Sequence, residues 1–252
     1  TGSMLQKEVK MTLAKLGKVT GWLLVIGPLV DVIVSTVRPG SFPEEHSGGV
    51  QAAMQAAILA TVPDSALATL LTLIGFVASF GLLLGLWGVN EVMSDAEGQG
   101  ILRKVGLLLL TIGLAVRTAS FALSFLTSVT LSYSPSEAIE SGEAVTSAVT
   151  FMVIGGALGI FATVLVLVGV AFFALSLTNA DLIGVDKPLA IWLGVAPAVV
   201  GSFFLLVATF VEGSVFTLYL LGNITVFVQI AWVVLLGVAF IRKSDSLAAA
   251  SP

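Results

Sequence analysis

The sequence contains no cysteine and a single histidine, His46. Without cysteine, the chain cannot form a disulfide, a thiolate nucleophile or a zinc–thiolate site. One histidine does not supply bis-histidine haem ligation within the chain, and neither a His-Glu-x-x-His pair nor a Gly-x-Ser-x-Gly elbow occurs. We therefore assign no catalytic residue, no metal ligand and no cofactor. Whether the chain is an enzyme stays open, and a non-catalytic role is preferred.

Charged residues are also scarce. They make up 10% of the chain, whereas 57% is hydrophobic and the mean hydropathy is +1.09; a typical soluble domain has about 25% charged residues. A soluble protein of this size cannot cover so much apolar surface with water-facing groups, so we expect lipid to form its exterior. The net charge of -4 is small and does not indicate a nucleic-acid partner.

Six segments are apolar over the length needed to cross a bilayer, which is about 20 residues. They are Val19–Val37, Ala66–Val89, Leu102–Ser128, Ala148–Leu177, Leu189–Phe210 and Val215–Ile241. We predict an all-α integral membrane protein, a six-transmembrane-helix bundle that occupies residues 19–241. Residues 1–3 precede Met4 and are interpreted as an expression remnant.

Lysine and arginine lie mostly on one side of this topology. Nine belong to the N-terminal arm, the second-to-third connection, the fourth-to-fifth connection and the tail, and only Arg38 belongs to the opposite side. The positive-inside rule makes the side with nine the cytoplasmic one. We expect a multi-pass protein of the cytoplasmic (inner) membrane of a prokaryote, with the arm at 4–18 and the tail at 242–252 both in the cytoplasm.

Two segments outside the spans also have helical character. In residues 4–18, apolar side chains recur at helical spacing between lysines. This pattern is typical of an amphipathic arm on the membrane surface, or of a cytoplasmic extension of the first helix. The external segment 39–64 contains Val50–Leu59, which is too short to span and too apolar for free solvent. We expect a short external capping helix there.

Two ionisable residues lie at membrane depth, where a charge costs at least a few kcal/mol unless it is paired. Asp31 lies 13 residues beyond Lys18, and Arg117 lies 13 residues beyond Lys104. The first and third helices run in the same direction, so both residues lie about 20 Å from the inner edge. We predict a buried ion pair between Asp31 and Arg117.

Two further polar residues complete the candidate site. Gln229 lies at a similar depth in the sixth helix, and Asn223 lies closer to the outside. Together with Asp31 and Arg117, they indicate a polar site in the outer half of the bundle for an ion, a proton or a ligand headgroup. The alternative is a structural salt bridge with polar neighbours, which only fixes the helices that meet.

Two functions fit these features. The first is a membrane-embedded binding or transport protein for a small or lipid-like molecule held near Asp31 and Arg117. The second is a non-catalytic accessory or structural subunit that packs on another membrane protein or on a second copy of itself. The expected partners are therefore the lipid bilayer, a lipid or small apolar ligand, and a membrane protein or homo-oligomer. The identity of the ligand and the oligomeric state stay open.

Three elements of the sequence resemble those of a known family. They are Gly27-Pro28 in the first helix, the long external loop with a short helix before the second helix, and the entry into the fifth helix, which reads Leu182-Ile183-Gly184 and then Pro188-Leu189-Ala190-Ile191-Trp192-Leu193-Gly194-Val195. In this layout the chain is similar to an uncharacterised bacterial family of six-helix membrane proteins. The resemblance covers most of the chain and implies the six-helix topology, but it implies no activity.

Overall fold

A computed structural model describes residues 2–38, 58, 64–93, 100–134, 137, 142–177, 188, 191–208 and 215–250. These residues form helices and adjacent turns, and no strand occurs among them. The elements are α1 Gly2–Val37, α2 Ser65–Val92, α3 Gly100–Tyr133, α4 Glu143–Ser176, a π-helical turn Ile191–Val195 that continues into α5 Ala196–Ala208, and α6 Val215–Ala250. The predicted all-α class is confirmed for the described part of the chain.

Five helices are long and apolar enough to cross a membrane. Their candidate spans are Ala14–Val37, Ser65–Val92, Gly100–Tyr133, Glu143–Ser176 and Leu220–Ser244. The segment Ile191–Val207 is also apolar but shorter, and at 1.5 Å per residue it measures about 25 Å. Many large apolar side chains on these helices face outward, where lipid accommodates them and water does not. These features indicate a multi-pass membrane protein.

Helix α1 runs without a break from Gly2 to Val37, so residues 4–18 are continuous with the first span. At the other end of the chain, α6 continues to Ala250, so most of the predicted tail is helical. Of the predicted external segment 39–64, only Ile58 and Asp64 are described. Ile58 is buried against Leu131 and Ala148, near the ends of α3 and α4 that adjoin their connection; Val50–Leu59 otherwise lies outside the described residues.

The six described helices pack in a ring in chain order. Each packs on the next, from α1 to α6, and α6 returns to pack on α1. Helices α1 and α3 do not contact each other extensively, because α2 packs between them. The ring has a basic end, with Lys18, Lys104 and Arg242, and an opposite, acidic end, with Asp64 and Glu143.

The ring interior toward the basic end is filled with apolar side chains. Five helices contribute to one continuous buried cluster, in which the aromatic rings are the largest members. We call this cluster the apolar plug, and its principal residues are Leu24, Leu86, Leu110, Phe173, Trp232 and Phe240. These six side chains are almost completely buried, so the apolar plug closes the interior of the ring on the basic side.

Close helix crossings in the ring depend on glycine. The sequence places Gly81 and Gly85 four residues apart in the second helix, and such spacing predicts a helix contact. A Cβ atom built at Gly85 would lie 2.7 Å from Leu24 Cδ2, which confirms the contact with α1. The crossing of α1 and α6 is closer still, because a Cβ atom at Gly21 would lie 2.6 Å from the carbonyl oxygen of Gly237. This crossing closes the ring.

The Gly21→Ala substitution should destabilise the bundle, although alanine is the better helix former by about 1 kcal/mol. The added methyl group would collide with the backbone of α6 and force the two helices apart, and overpacking of this kind costs about 1–3 kcal/mol. Gly156→Ala is the matched control, since a Cβ atom there meets nothing within 4 Å. Thermal unfolding in one detergent measures both variants, and equal melting temperatures would contradict the proposed crossing.

Candidate functional site

A small chamber lies in the ring interior, on the acidic side of the apolar plug. Five helices, α1 to α4 and α6, line it, and its interior volume is about 40 Å³. One water molecule needs about 10–15 Å³ by this measure, so the chamber has room for about three. Its polar lining residues are Asp31, Ser79, Arg117, Thr163 and Gln229. We call this cavity the central chamber.

Asp31 and Arg117 form an ion pair at the wall of the central chamber. Arg117 Nη2 donates a hydrogen bond to Asp31 Oδ2 at 2.6 Å, so the predicted contact is present. The pair connects α1 to α3 past α2, and the long arginine side chain makes this reach possible. The guanidinium group also lies 5.4 Å from the centre of the Phe121 ring, within the distance of a cation–π interaction.

The ion pair leaves hydrogen-bonding capacity unused. A guanidinium group has five N–H donors and a carboxylate has two acceptor oxygens, yet the bond from Nη2 to Oδ2 is the one hydrogen bond found for these two groups among the described residues. The side chains of Arg117 and Asp31 are 23% and 16% exposed. Polar groups in apolar surroundings need partners, so we expect the remaining donors and acceptors to bind water or a ligand.

Gln229 connects three helices. Its Nε2 donates to the carbonyl oxygen of Leu167 on α4 at 2.9 Å, and to that of Gly194 in the π-helical turn at 2.8 Å. Regular α-helical bonding is interrupted in this turn, and Pro197, just beyond it, has no N–H group to donate. Gln229 adds a side-chain donor to this irregular part of the backbone. Both amide hydrogens are used, which leaves the Oε1 of Gln229 as an acceptor for the central chamber.

The two hydroxyl groups in the lining also act as acceptors. Ser79 donates to the carbonyl oxygen of Gly75 at 3.0 Å, and Thr163 donates to that of Gly159 at 2.8 Å. Each hydroxyl hydrogen is thus used within its own helix, and only oxygen lone pairs remain for a guest. Arg117 is then the one donor in the lining. The central chamber suits a guest that accepts from a guanidinium group and donates to oxygen atoms.

The structure brings together three of the four predicted site residues. Asp31, Arg117 and Gln229 line the central chamber, and Asn223 does not. Asn223 precedes Gln229 by six residues, which turns its side chain about 120° around the helix axis. The depth of Asn223 along the helix is close to that of the site. Its side chain nevertheless points to another face of α6, because the helix has rotated between the two residues.

Several polar contacts of the bundle, some of them in the candidate site, were not predicted from the sequence. Ser79 and Thr163 were missed because hydroxyl residues that bond to their own helix are common in apolar helices. Arg103 was used only to orient the chain, yet it is 5% exposed and its Nε donates to Asn90 Oδ1 at 2.9 Å, connecting α2 and α3. The sequence did contain a signal for this contact: an amide lies near the end of one apolar helix, and an arginine lies near the start of the next.

Comparison with protein-family models, curated proteins and solved structures finds no match to this chain. The resemblance to a bacterial six-helix family therefore stays a prediction. Among the described residues, no three His, Asp or Glu side chains lie together as metal ligands would.

The ion pair should stabilise the ring through the interaction of its two charges. Asp31→Asn and Arg117→Gln should each lower stability, because each leaves one charge unpaired; breaking a buried pair costs about 3–5 kcal/mol, and partial exposure favours the lower part of that range. The double variant should lose less than the sum of the two. Thermal unfolding in detergent measures this cycle, with the exposed Arg242→Gln as control. Strict additivity would mean that the two charges do not interact.

Proposed function

We propose that this chain is a six-crossing membrane protein that binds a small or lipid-like molecule through the central chamber. One observation carries the proposal: Asp31, Arg117 and Gln229 come from three separate helices and converge on one cavity in a largely apolar interior. Ionisable groups at membrane depth are costly and are a mark of functional sites. Their unused donors and acceptors provide the chemistry for binding.

The proposal adds one crossing to the five candidate spans. This additional crossing is Ile191–Val207, which comes fifth in chain order. Its length lies at the short end of the range of about 17–25 residues that span a bilayer. Its packing between α4 and α6 supports the assignment, because removing it would open the ring. This crossing begins with a π-helical turn, and Pro197 follows that turn. Such an irregular start is tolerated at membrane depth when neighbouring groups bond to the backbone, and Gln229 donates to the carbonyl oxygen of Gly194 here.

The basic end is proposed to face the cytoplasm of a prokaryotic cell, with both termini on that side. The Lys and Arg asymmetry supports this orientation through the positive-inside rule. Exposed tryptophan rings add a second argument. Trp22, Trp87 and Trp192 all lie near the basic end and face outward, as in the aromatic belts that mark a membrane–water interface.

The size of the central chamber limits what part of a ligand it can receive. Complete ligand pockets measure about 300–1,000 Å³, so a volume of about 40 Å³ fits water, a small ion or one polar group of a larger molecule. We propose that a carboxyl, carbonyl or hydroxyl group accepts from Arg117 there. Access would come from the acidic end, because the apolar plug closes the basic end. On the acidic side of the chamber, α3 has no buried residue between Leu114 and Thr127, so its side chains do not close the interior there.

The second candidate function is that of an accessory subunit, and the same small volume favours it. In that case the polar contacts serve to fix the order of the helices. Four side chains donate such contacts between different helices: Arg117 to Asp31, Gln229 to Leu167 and Gly194, Arg103 to Asn90, and Ser120 Oγ to the carbonyl oxygen of Gly155 at 2.7 Å. The two functions differ in one respect, since only the first requires a bound guest.

The Thr163→Val substitution tests for that guest, because it removes lone pairs from the central chamber while keeping the side-chain shape. Thr118→Val is the matched control: Thr118 is also half-buried and bonds to its own helix, at 2.9 Å, but it does not line the chamber. Small molecules retained by protein in nanodiscs are identified by mass spectrometry. We expect retention to fall by up to about tenfold in Thr163→Val alone, since one hydrogen bond is lost. Equal retention in all three proteins, or none in the wild type, would favour the accessory subunit.

A further inference from the structure

An apolar groove runs along the outer face of the bundle between α1 and α2. We propose that this groove binds an acyl chain of an anionic phospholipid from the leaflet at the basic end, an inference that rests on the proposed membrane function. The groove has a volume of about 580 Å³, within the range of about 300–1,000 Å³ that ligand sites occupy. Every residue that lines it is apolar or glycine.

The groove exists because glycines form its floor. Gly27 and Gly81 meet where α1 and α2 cross, and a Cβ atom at Gly81 would lie 3.5 Å from Gly27 Cα. With no side chains at the crossing, the space between the helices is filled only at its sides. Trp22, Ile26 and Val77 project outward there and form the walls. The result is a furrow that an unbranched hydrocarbon chain fits better than a flat surface would.

The groove is long enough to hold an acyl chain that enters from one leaflet. Its lining on α1 runs from Val19 to Val30, which is about 16 Å at 1.5 Å per residue. Half of a hydrocarbon core of about 30 Å is about 15 Å. Val19 lies next to the basic end, and the α2 lining continues to Leu73, beyond the level at which Gly75 packs on Val34. The groove therefore extends from the membrane surface at the basic end past the bilayer midplane. This is the path of one acyl chain.

The charges at the basic end of the groove favour an anionic headgroup. Lys15, Val19 and Trp22 are spaced so that they lie on one face of α1, and Lys15 is exposed. Lys18 is also exposed at this end, where the acidic residues Glu91 on α2 and Asp245 on α6 occur as well. Basic residues at the membrane surface attract anionic lipids. An acyl chain in the groove would place its phosphate group beside Lys15.

The experiment is native mass spectrometry of protein from nanodiscs made of equal parts phosphatidylglycerol and phosphatidylcholine. The wild type should retain phosphatidylglycerol in preference. Val77→Trp fills the groove and should reduce retention by about tenfold or more, since excluding two methylene groups has that effect. Val199→Trp is the matched control, because Val199 on α5 is 66% exposed against 67% for Val77 and lies outside the groove. It should retain lipid as the wild type does.

The headgroup contact has its own variant. Lys15→Gln should lower the preference for phosphatidylglycerol by about fivefold, the effect of one lysine at a membrane surface. Unchanged lipid retention in Val77→Trp, or equal retention of the two lipids by the wild type, would overturn the inference. So would a wild-type dimer that Val77→Trp converts to monomer, because a second copy would then occupy the groove.

Failure of the groove is distinguishable from failure of the proposed function. Alkaline carbonate extraction is applied first to membranes that contain the wild-type protein. Release of the protein from the membranes would contradict the membrane function itself. Protein that stays in the membrane but retains no phosphatidylglycerol would contradict the lipid groove alone, and the central chamber would be unaffected.

Discussion

The ion pair between Asp31 and Arg117 constrains the arrangement of the whole ring. An unpaired charge in an apolar interior is costly, so α1 and α3 must both turn these residues toward the centre. That rotation directs Gly27 toward α2 and leaves Trp22 and Ile26 facing outward. It also fixes the level at which the polar interior begins, just beyond the apolar plug. The position of the central chamber and that of the apolar groove between α1 and α2 therefore depend on one contact.

Gln229 plays a related part on the opposite side of the ring. Its bonds to Leu167 and Gly194 join α4, α6 and the π-helical turn before α5, where regular α-helical bonding is interrupted. The ion pair and this amide thus lie on two sides of one small cavity. Interhelical polar contacts in membrane proteins contribute modest stability, often about 0.6 kcal/mol. Their larger effect here is to select one packing among the many that apolar helices allow.

The sequence predicted the parts of this structure that follow from length and depth. Long apolar runs defined the helices, and equal spacing from Lys18 and Lys104 paired Asp31 with Arg117, because a helix rises by a constant amount per residue. Asn223 was grouped with these residues by depth but does not line the chamber, since depth carries no information about rotation. The fifth helix is shorter in its described part than the predicted Leu189–Phe210. The order of helices around the ring and the size of the chamber depend on side-chain packing, and apolar sequences carry little signal for either.

We propose that the polar chamber opens toward the acidic end and is closed by the apolar plug toward the basic end, which the Lys and Arg asymmetry assigns to the cytoplasm. Since the chain has no cysteine, single cysteines can be tested in intact cells with a charged thiol reagent small enough for a volume of about 40 Å³, such as the silver ion. The account predicts that the Thr163→Cys and Glu143→Cys variants react from outside, while Lys104→Cys reacts only after the cells are opened. Leu110→Cys, in the apolar plug, should react from neither side. A Thr163→Cys variant that reacts only in opened cells, or not at all, would contradict the account.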